Sequence, residues 1–171
     1  MTRLTITQTD STDYLKILAL NELAVPSVNS IGIDTLDALH RQSAYLGVAR
    51  YGEEIVGFLL ALPHTADYGS LNFQYFKQRY TAFAYVDRVV VATRNRNLGV
   101  GAALYEDLHR HLGADFPLLA CEVNIDPPNP GSLRFHQRLG FRQIGSQQTE
   151  GGAKRVALLI KSAPWGDPKT G

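Results

Sequence analysis

Val89-Val90-Val91-Ala92-Thr93-Arg94-Asn95-Arg96-Asn97-Leu98-Gly99-Val100-Gly101-Ala102 is the stretch on which the reading of the fold turns. A valine run leads into a polar loop, and the loop opens a helix at a pair of glycines. Val100, Leu104, Leu108 and Leu112 recur at four-residue spacing, which is one face of a helix, and Gly113 can end it. Small residues at Gly99 and Gly101 let a ligand approach the backbone. The free N–H groups of a first helical turn, with the positive end of the helix dipole, favour phosphate. Arg94 and Arg96 place positive charge beside them. The local physics therefore points to phosphate or pyrophosphate. The plain alternative is a tight turn before a surface helix, which for a lone Gly-x-Gly would be the better reading. A dinucleotide fingerprint would need a third glycine where Leu104 stands, and a P-loop would need Gly-Lys-Ser/Thr, which is absent.

Outward from this loop the chain alternates strands and helices. Leu4 to Thr9 begins as a half-buried strand, with apolar and polar residues in alternation. Ser11 and Thr12 offer N-caps for a helix to about Ala24, and Thr35 for a second to about Ala44, with a loop from Val25 to Asp34 between them. Leu46 to Arg50 and Ile55 to Leu62 predict a hairpin. Ala82 to Ala92 and Pro117 to Ile125 predict strands joined by the helix after the loop. That crossover should make the two strands parallel. Pro130 to Leu139 predicts a short helix, capped by Asn129, with Pro130 in its first turn and Gly140 as its stop. Phe141 to Gln147 and Arg155 to Lys161 pair across Gly151-Gly152. The expectation is one mixed α/β domain over residues 1–171, with 163–171 as a loose tail.

Length and composition narrow the partners. The chain has 171 residues, 44% hydrophobic and 19% charged, which suits one globular core. Seventeen Lys and Arg against sixteen Asp and Glu give no electrostatic reason to expect nucleic acid or an anionic membrane. The polar, alternating start lacks the apolar core of a secretory signal, and no apolar run is long enough to span a bilayer. With one cysteine, Cys121, no intramolecular disulfide can form. A cytoplasmic location is the expectation. The histidines His40, His64, His109 and His111 show no metal-ligand spacing, and no metal is expected.

A second motif lies downstream, Asn129-Pro130-Gly131-Ser132-Leu133-Arg134-Phe135-His136-Gln137-Arg138-Leu139-Gly140-Phe141. Together the two segments resemble the GNAT acetyltransferases. Arg96-x-x-Gly99-x-Gly101 is similar to that family's R/Q-x-x-G-x-G/A signature, with Val91 five residues upstream as the family usually has. Asn97 stands where a glycine is common. The second segment resembles N-x-x-A/S-x-x-L/F-Y-x-x-x-G-F, with His136 in place of the tyrosine. The resemblance implies a mixed sheet with a splayed, parallel central strand pair flanked by helices. It implies acetyl-CoA as co-substrate. The backbone of the Val89-Val90-Val91 strand would hold the pantetheine arm. The N–H groups of Leu98, Gly99, Val100, Gly101 and Ala102 would hold the pyrophosphate, with Arg96 and Asn97 in the same loop. Asn129 would cap its helix and touch the coenzyme, with Ser132 beside it.

Two carboxylates compete as general base. Glu122 sits inside an otherwise apolar strand, sharing a face with Leu118, Ala120 and Asn124, whereas Cys121 faces the other way as a core residue. Family members that acetylate protein N-termini often have a glutamate at this strand position. Asp87, on the face of Val89 and Val91, is the alternative. A structural ion pair with Arg88 or Arg142 is the plain use of either. The resemblance assigns His136 to the departing sulfur, as acid or as hydrogen-bond donor; the plain alternative is a helix residue pointing into the fold.

The reaction expected is direct transfer of acetyl to an amine in a ternary complex. Glu122, with or without a water between, takes the acceptor's proton. The alternative is a non-catalytic acyl-CoA-binding or sensing domain. The acceptor is a small-molecule or peptide amine of open identity. The aromatic stretch Tyr68 to Tyr80 could cover the acceptor site, form a homodimer contact, or simply pack as a short helix on the core. Asn21 to Asp34 is the other candidate acceptor wall.

Overall fold

In the computed structural model, which describes residues 2–165, the alternating start of the chain forms β1 (Leu4–Gln8). One 3₁₀ turn, Ser11–Asp13, leads into α1 (Tyr14–Ala24). The cap of that turn is Asp10, not Ser11 or Thr12. Its carboxylate accepts from the Thr12 N–H at 2.8 Å, and the Asp13 carboxylate accepts from the Asp10 N–H at 3.4 Å. Such a reciprocal box serves two orphan donors at once, which neither hydroxyl does. α2 (Ile33–Gln42) likewise starts before Thr35, at extended Gly32 with no side-chain cap. Gly32 is exposed, so water can serve the first N–H groups.

β2 (Tyr45–Tyr51) and β3 (Glu54–Pro63) form the expected hairpin, closed by Tyr51 opposite Glu54. Then follow α3 (Leu71–Lys77), β4 (Ala84–Val91), α4 (Val100–Leu112), β5 (Leu118–Asp126), α5 (Pro130–Arg138), β6 (Arg142–Thr149) and β7 (Lys154–Ser162). The sheet has seven strands in the order β1-β2-β3-β4-β5-β7-β6, and β4 runs parallel to β5. Of the expected tail, residues 166–171 lie outside the described residues.

Two compact units are distinguished. The first comprises residues up to Pro63 together with Val86–Gly113. Ile17, Leu36, Val48, Phe58, Leu104 and Leu108 are fully buried. Gly57 of β3 is required there. A Cβ on it would stand 2.9 Å from the Val90 carbonyl oxygen and 3.2 Å from Val100 Cγ1, so a larger residue would push strand and helix away. The second unit comprises His64–Tyr85 and the chain from Ala114 onward. Phe73, Phe76, Phe83, Tyr85, Leu119 and Leu158 are fully buried. Its parallel register is Ala84 with Leu119 and Tyr85 with Ala120, after which β4 passes into the first unit.

Candidate active site

In the first unit the loop after β4 is built from backbone geometry. The Ala92 N–H donates to the Val56 carbonyl at 2.8 Å, and one 3₁₀ turn, Thr93–Asn95, follows. Asn97 and Gly99 then adopt left-handed conformations, with φ 62° and 82°. Asparagine is the non-glycine residue best suited to that region, which accounts for its standing where the resemblance leads one to look for glycine. No side chain caps α4 at Gly99. The Ala103 N–H reaches back to the Gly99 carbonyl at 3.0 Å. By helical geometry the N–H groups of Val100, Gly101 and Ala102 therefore have no acceptor within the helix. Arg96 and Leu98 are exposed, and Arg94 pairs with Glu54. An uncapped, glycine-bounded helix start with an adjacent arginine fits a pyrophosphate.

Asp87 lies in the same unit. Its carboxylate accepts from Arg88 Nε at 2.7 Å, and the two side chains are only 4% and 2% exposed. Arg88 also donates to the Asn21 side chain at 3.0 Å, to the Asn29 carbonyl at 3.1 Å and to the Asn29 side chain at 2.8 Å. The Asn21 amide completes the cluster by donating to the Asn29 carbonyl at 3.0 Å. The cluster ties the segment between α1 and α2 to β4. Removing one partner of a buried pair strands the other charge. Asp87→Asn should thus cost about 3–5 kcal/mol of stability, read as a fall in denaturation midpoint.

In the second unit the parallel register places Tyr85 beside Ala120, so Glu122, two residues on, is its diagonal neighbour on the same face. The Tyr85 O–H donates to Glu122 Oε2 at 2.6 Å. Tyr85 is fully buried and Glu122 half-buried. Sequence reasoning missed Tyr85. The only available signal was an aromatic hydroxyl in a valine-rich strand, and its partner depends on a register between distant segments. Cys121 faces away from Glu122 and is buried. Burial, and then the nearby Glu122 charge, push its thiol well above the usual cysteine range.

α5 starts as its sequence demands. Asn129 Oδ1 accepts from the Ser132 N–H at 3.3 Å, with Pro130 in the first turn. His136 is 3% exposed, with its ring edge-on to Phe135 and Phe141 at centroid distances of 5.2 and 5.3 Å. Its Nδ1 lies 2.8 Å from the Ser132 carbonyl. A neutral ring making that bond carries its proton on Nδ1, so Nε2 cannot donate to a sulfur. Burial also lowers the His136 pKa, which disfavours the imidazolium. The burial and the Ser132 bond favour a packing role for His136 in α5 over either role at the departing sulfur. Because the folded pKa is depressed, the unfolded chain binds the extra proton first as pH falls below about 6.5, and stability falls with it. Wild-type melting temperature should therefore drop over that acid range more steeply than that of His136→Phe, while the pH profile of turnover stays the same.

The chain matches the sequence profile of the Acetyltransferase (GNAT) family over residues 17–141, and it belongs to that family. No curated protein sequence matches it. Among solved structures it resembles Ard1 from Thermoplasma volcanium, at 16% identity over 93% of this chain and 97% of that one, with a TM-score of 0.75. A ribosomal-protein-alanine N-acetyltransferase from Brucella melitensis shares the fold at 17% identity over 93% and 99% of the two chains, with a TM-score of 0.69. So does Arabidopsis thaliana NAA60 in complex with acetyl-CoA, at 14% identity over 94% and 100%, with a TM-score of 0.75. At these identities the likeness establishes the fold, a mixed sheet with a parallel β4–β5 pair. Among the described residues no group of three or more His, Cys, Asp or Glu could hold a metal, and no helix is long and apolar enough to cross a membrane.

Proposed function

We propose that this protein is an acetyl-CoA-dependent N-acetyltransferase acting on a primary amine, by direct transfer in a ternary complex. The observation that carries the reading is the uncapped start of α4 behind left-handed Gly99, in a chain of this family. Acetyl-CoA supplies an acetyl thioester. The N–H groups from Leu98 to Ala102 hold its pyrophosphate, with Arg96 adding charge. Backbone groups of Val89 and Val91 hold the pantetheine arm, and a backbone N–H of that strand donates to the oxygen on which negative charge develops. Asn129, whose Oδ1 is already engaged, contacts the coenzyme through Nδ2. Glu122 takes the proton from the acceptor ammonium, directly or through one water, and the Tyr85 O–H aims its carboxylate. The freed amine would form the C–N bond as the thioester C–S bond breaks, with CoA leaving as a thiolate that takes its proton from solvent. The Tyr85–Glu122 bond favours catalysis over an acyl-CoA-sensing role, which needs no oriented base. Two neighbours of the same fold bear on the acceptor. One is named for ribosomal-protein alanine, and another is solved with a bisubstrate analogue. The first of them makes a peptide amine the first class to test. The decisive experiment is an acceptor screen with acetyl-CoA, covering peptides, amino acids and polyamines and reading free thiol. Turnover with no amine, or CoA binding without thiol release on any, would refute the reading.

A further inference from the structure

The segment between β3 and β4 is larger than the fold requires. The His64 N–H donates to the Phe83 carbonyl at 3.0 Å, so the chain leaves and re-enters the sheet at adjacent points, and a tight turn could join them. Instead the excursion carries Tyr68 and the seven-residue helix α3. So short a helix has little stability of its own and must be held by packing.

What it packs against is specific. Phe73 meets the Tyr85 ring edge-on at 5.5 Å, Phe76 meets it at 6.1 Å and Tyr68 at 6.3 Å. Phe83 lies 5.8 Å from Phe73 and 6.3 Å from Phe76. Phe73, Phe76, Phe83 and Tyr85 are all 0% exposed. The arrangement is internally tied. Ser70 Oγ accepts from the Phe73 N–H at 3.4 Å, and the Gln74 side chain donates to the Tyr68 carbonyl at 2.8 Å. Phe73 and Phe76, three apart on one helix face, thus arrive at Tyr85 together with the Tyr68 turn. The far end of the same tyrosine donates to Glu122 at 2.6 Å.

We infer that α3 and its preceding turn are the positioning shell of the Tyr85–Glu122 hydrogen bond, with Phe73 and Phe76 as positioning residues. This rests on the reading of Glu122 as base. Three rings around one ring leave Tyr85 a single rotamer, so its hydroxyl points where the carboxylate needs it. They also exclude water from the phenol, which strengthens a hydrogen bond to a charged acceptor. A leucine in place of Phe73 or Phe76 gives the tyrosine room to tilt without touching Glu122 itself.

A double-mutant cycle separates positioning from plain stability. Turnover per folded molecule is measured at saturating substrates for wild type, Phe73→Leu, Tyr85→Phe and the pair. Phe73→Leu should lower kcat about fivefold with acetyl-CoA KM unchanged, a coupling within the usual range for contacting residues. In the Tyr85→Phe background the same change should have almost no effect, because no hydroxyl remains to position. An equal loss in both backgrounds, or no loss in either, overturns the inference. Should Phe73→Leu fail to fold, Phe76→Leu takes its place in the same cycle. Glu122→Gln is run alongside. Full turnover in Glu122→Gln sinks the base assignment whatever the cycle gives. A large loss there with an additive cycle sinks the shell alone.

Discussion

Glu122→Gln should lower turnover by about 10²–10⁴-fold, the usual contribution of a general base, and leave CoA affinity unchanged. The substitution keeps the shape of the side chain. The Tyr85 O–H, now 2.6 Å from a carboxylate oxygen, can still donate to the amide oxygen that replaces it. Packing in the second unit is therefore retained, and what disappears is an acceptor for the proton on the substrate's ammonium. Steady-state thiol release gives the turnover, and calorimetry with CoA gives the affinity. The competing carboxylate gives the opposite pattern. Asp87 is engaged by Arg88 in a buried pair. Asp87→Asn should consequently lose stability and keep activity per folded molecule. If Asp87→Asn abolishes turnover in folded protein and Glu122→Gln does not, the base is on β4.

Gly101→Leu should abolish measurable CoA binding while raising the denaturation midpoint, two effects of opposite sign from one change. Gly101 is the second residue of α4. It is absent from the residues with positive φ, so leucine meets no backbone strain there. Replacing a glycine with a better helix former is worth up to about 1 kcal/mol in a helix interior, and less in the first turn. The same side chain stands over N–H groups to which a pyrophosphate must come within hydrogen-bond distance. A hydrogen bond to a charged group is worth about 1.5–3 kcal/mol, so losing even one weakens binding tenfold or more. Unchanged affinity by calorimetry in a stabilised variant would remove the loop from the coenzyme site. Gly99 is the poorer place for this test. Its φ of 82° makes any side chain costly in itself, so lost binding there would confound strain with obstruction.

The features legible in the sequence were those set by neighbours along the chain. α4 was written in the spacing of Val100, Leu104, Leu108 and Leu112 and bounded by Gly99 and Gly113, which stand at its two ends. α5 was announced by Asn129-Pro130 and closed by Gly140, with φ 96°. The β2–β3 hairpin followed from a short turn between apolar runs, and the β6–β7 hairpin from Gly151-Gly152 between the two segments. What escaped depended on distance. Nothing near Tyr85 says that its partner is 37 residues away, because that needs the register of a parallel pair. Nothing near Arg88 says that Asn21 and Asn29 will fill its donors. α3 was only one of three uses open for the stretch from Tyr68 to Tyr80, since seven residues are too few for a helical period to show. Even the cap of the turn leading into α1 and the start of α2 moved by one to three residues. Asp10, Ser11 and Thr12 are all plausible caps by residue type, and only the return bond from Asp13 distinguishes them.

Cys121 is the chain's single cysteine, on the inward side of β5, with its thiol held protonated by burial. Thiol reagents act on thiolates, so the native protein should be silent to them. In a turnover mixture the free thiol that accumulates is then CoA, with no background from the enzyme. The same silence turns Cys121 into a clock. Its modification has to wait until the strand carrying it becomes accessible, so the rate at which a reagent slowly labels the protein measures how often that part of the sheet opens.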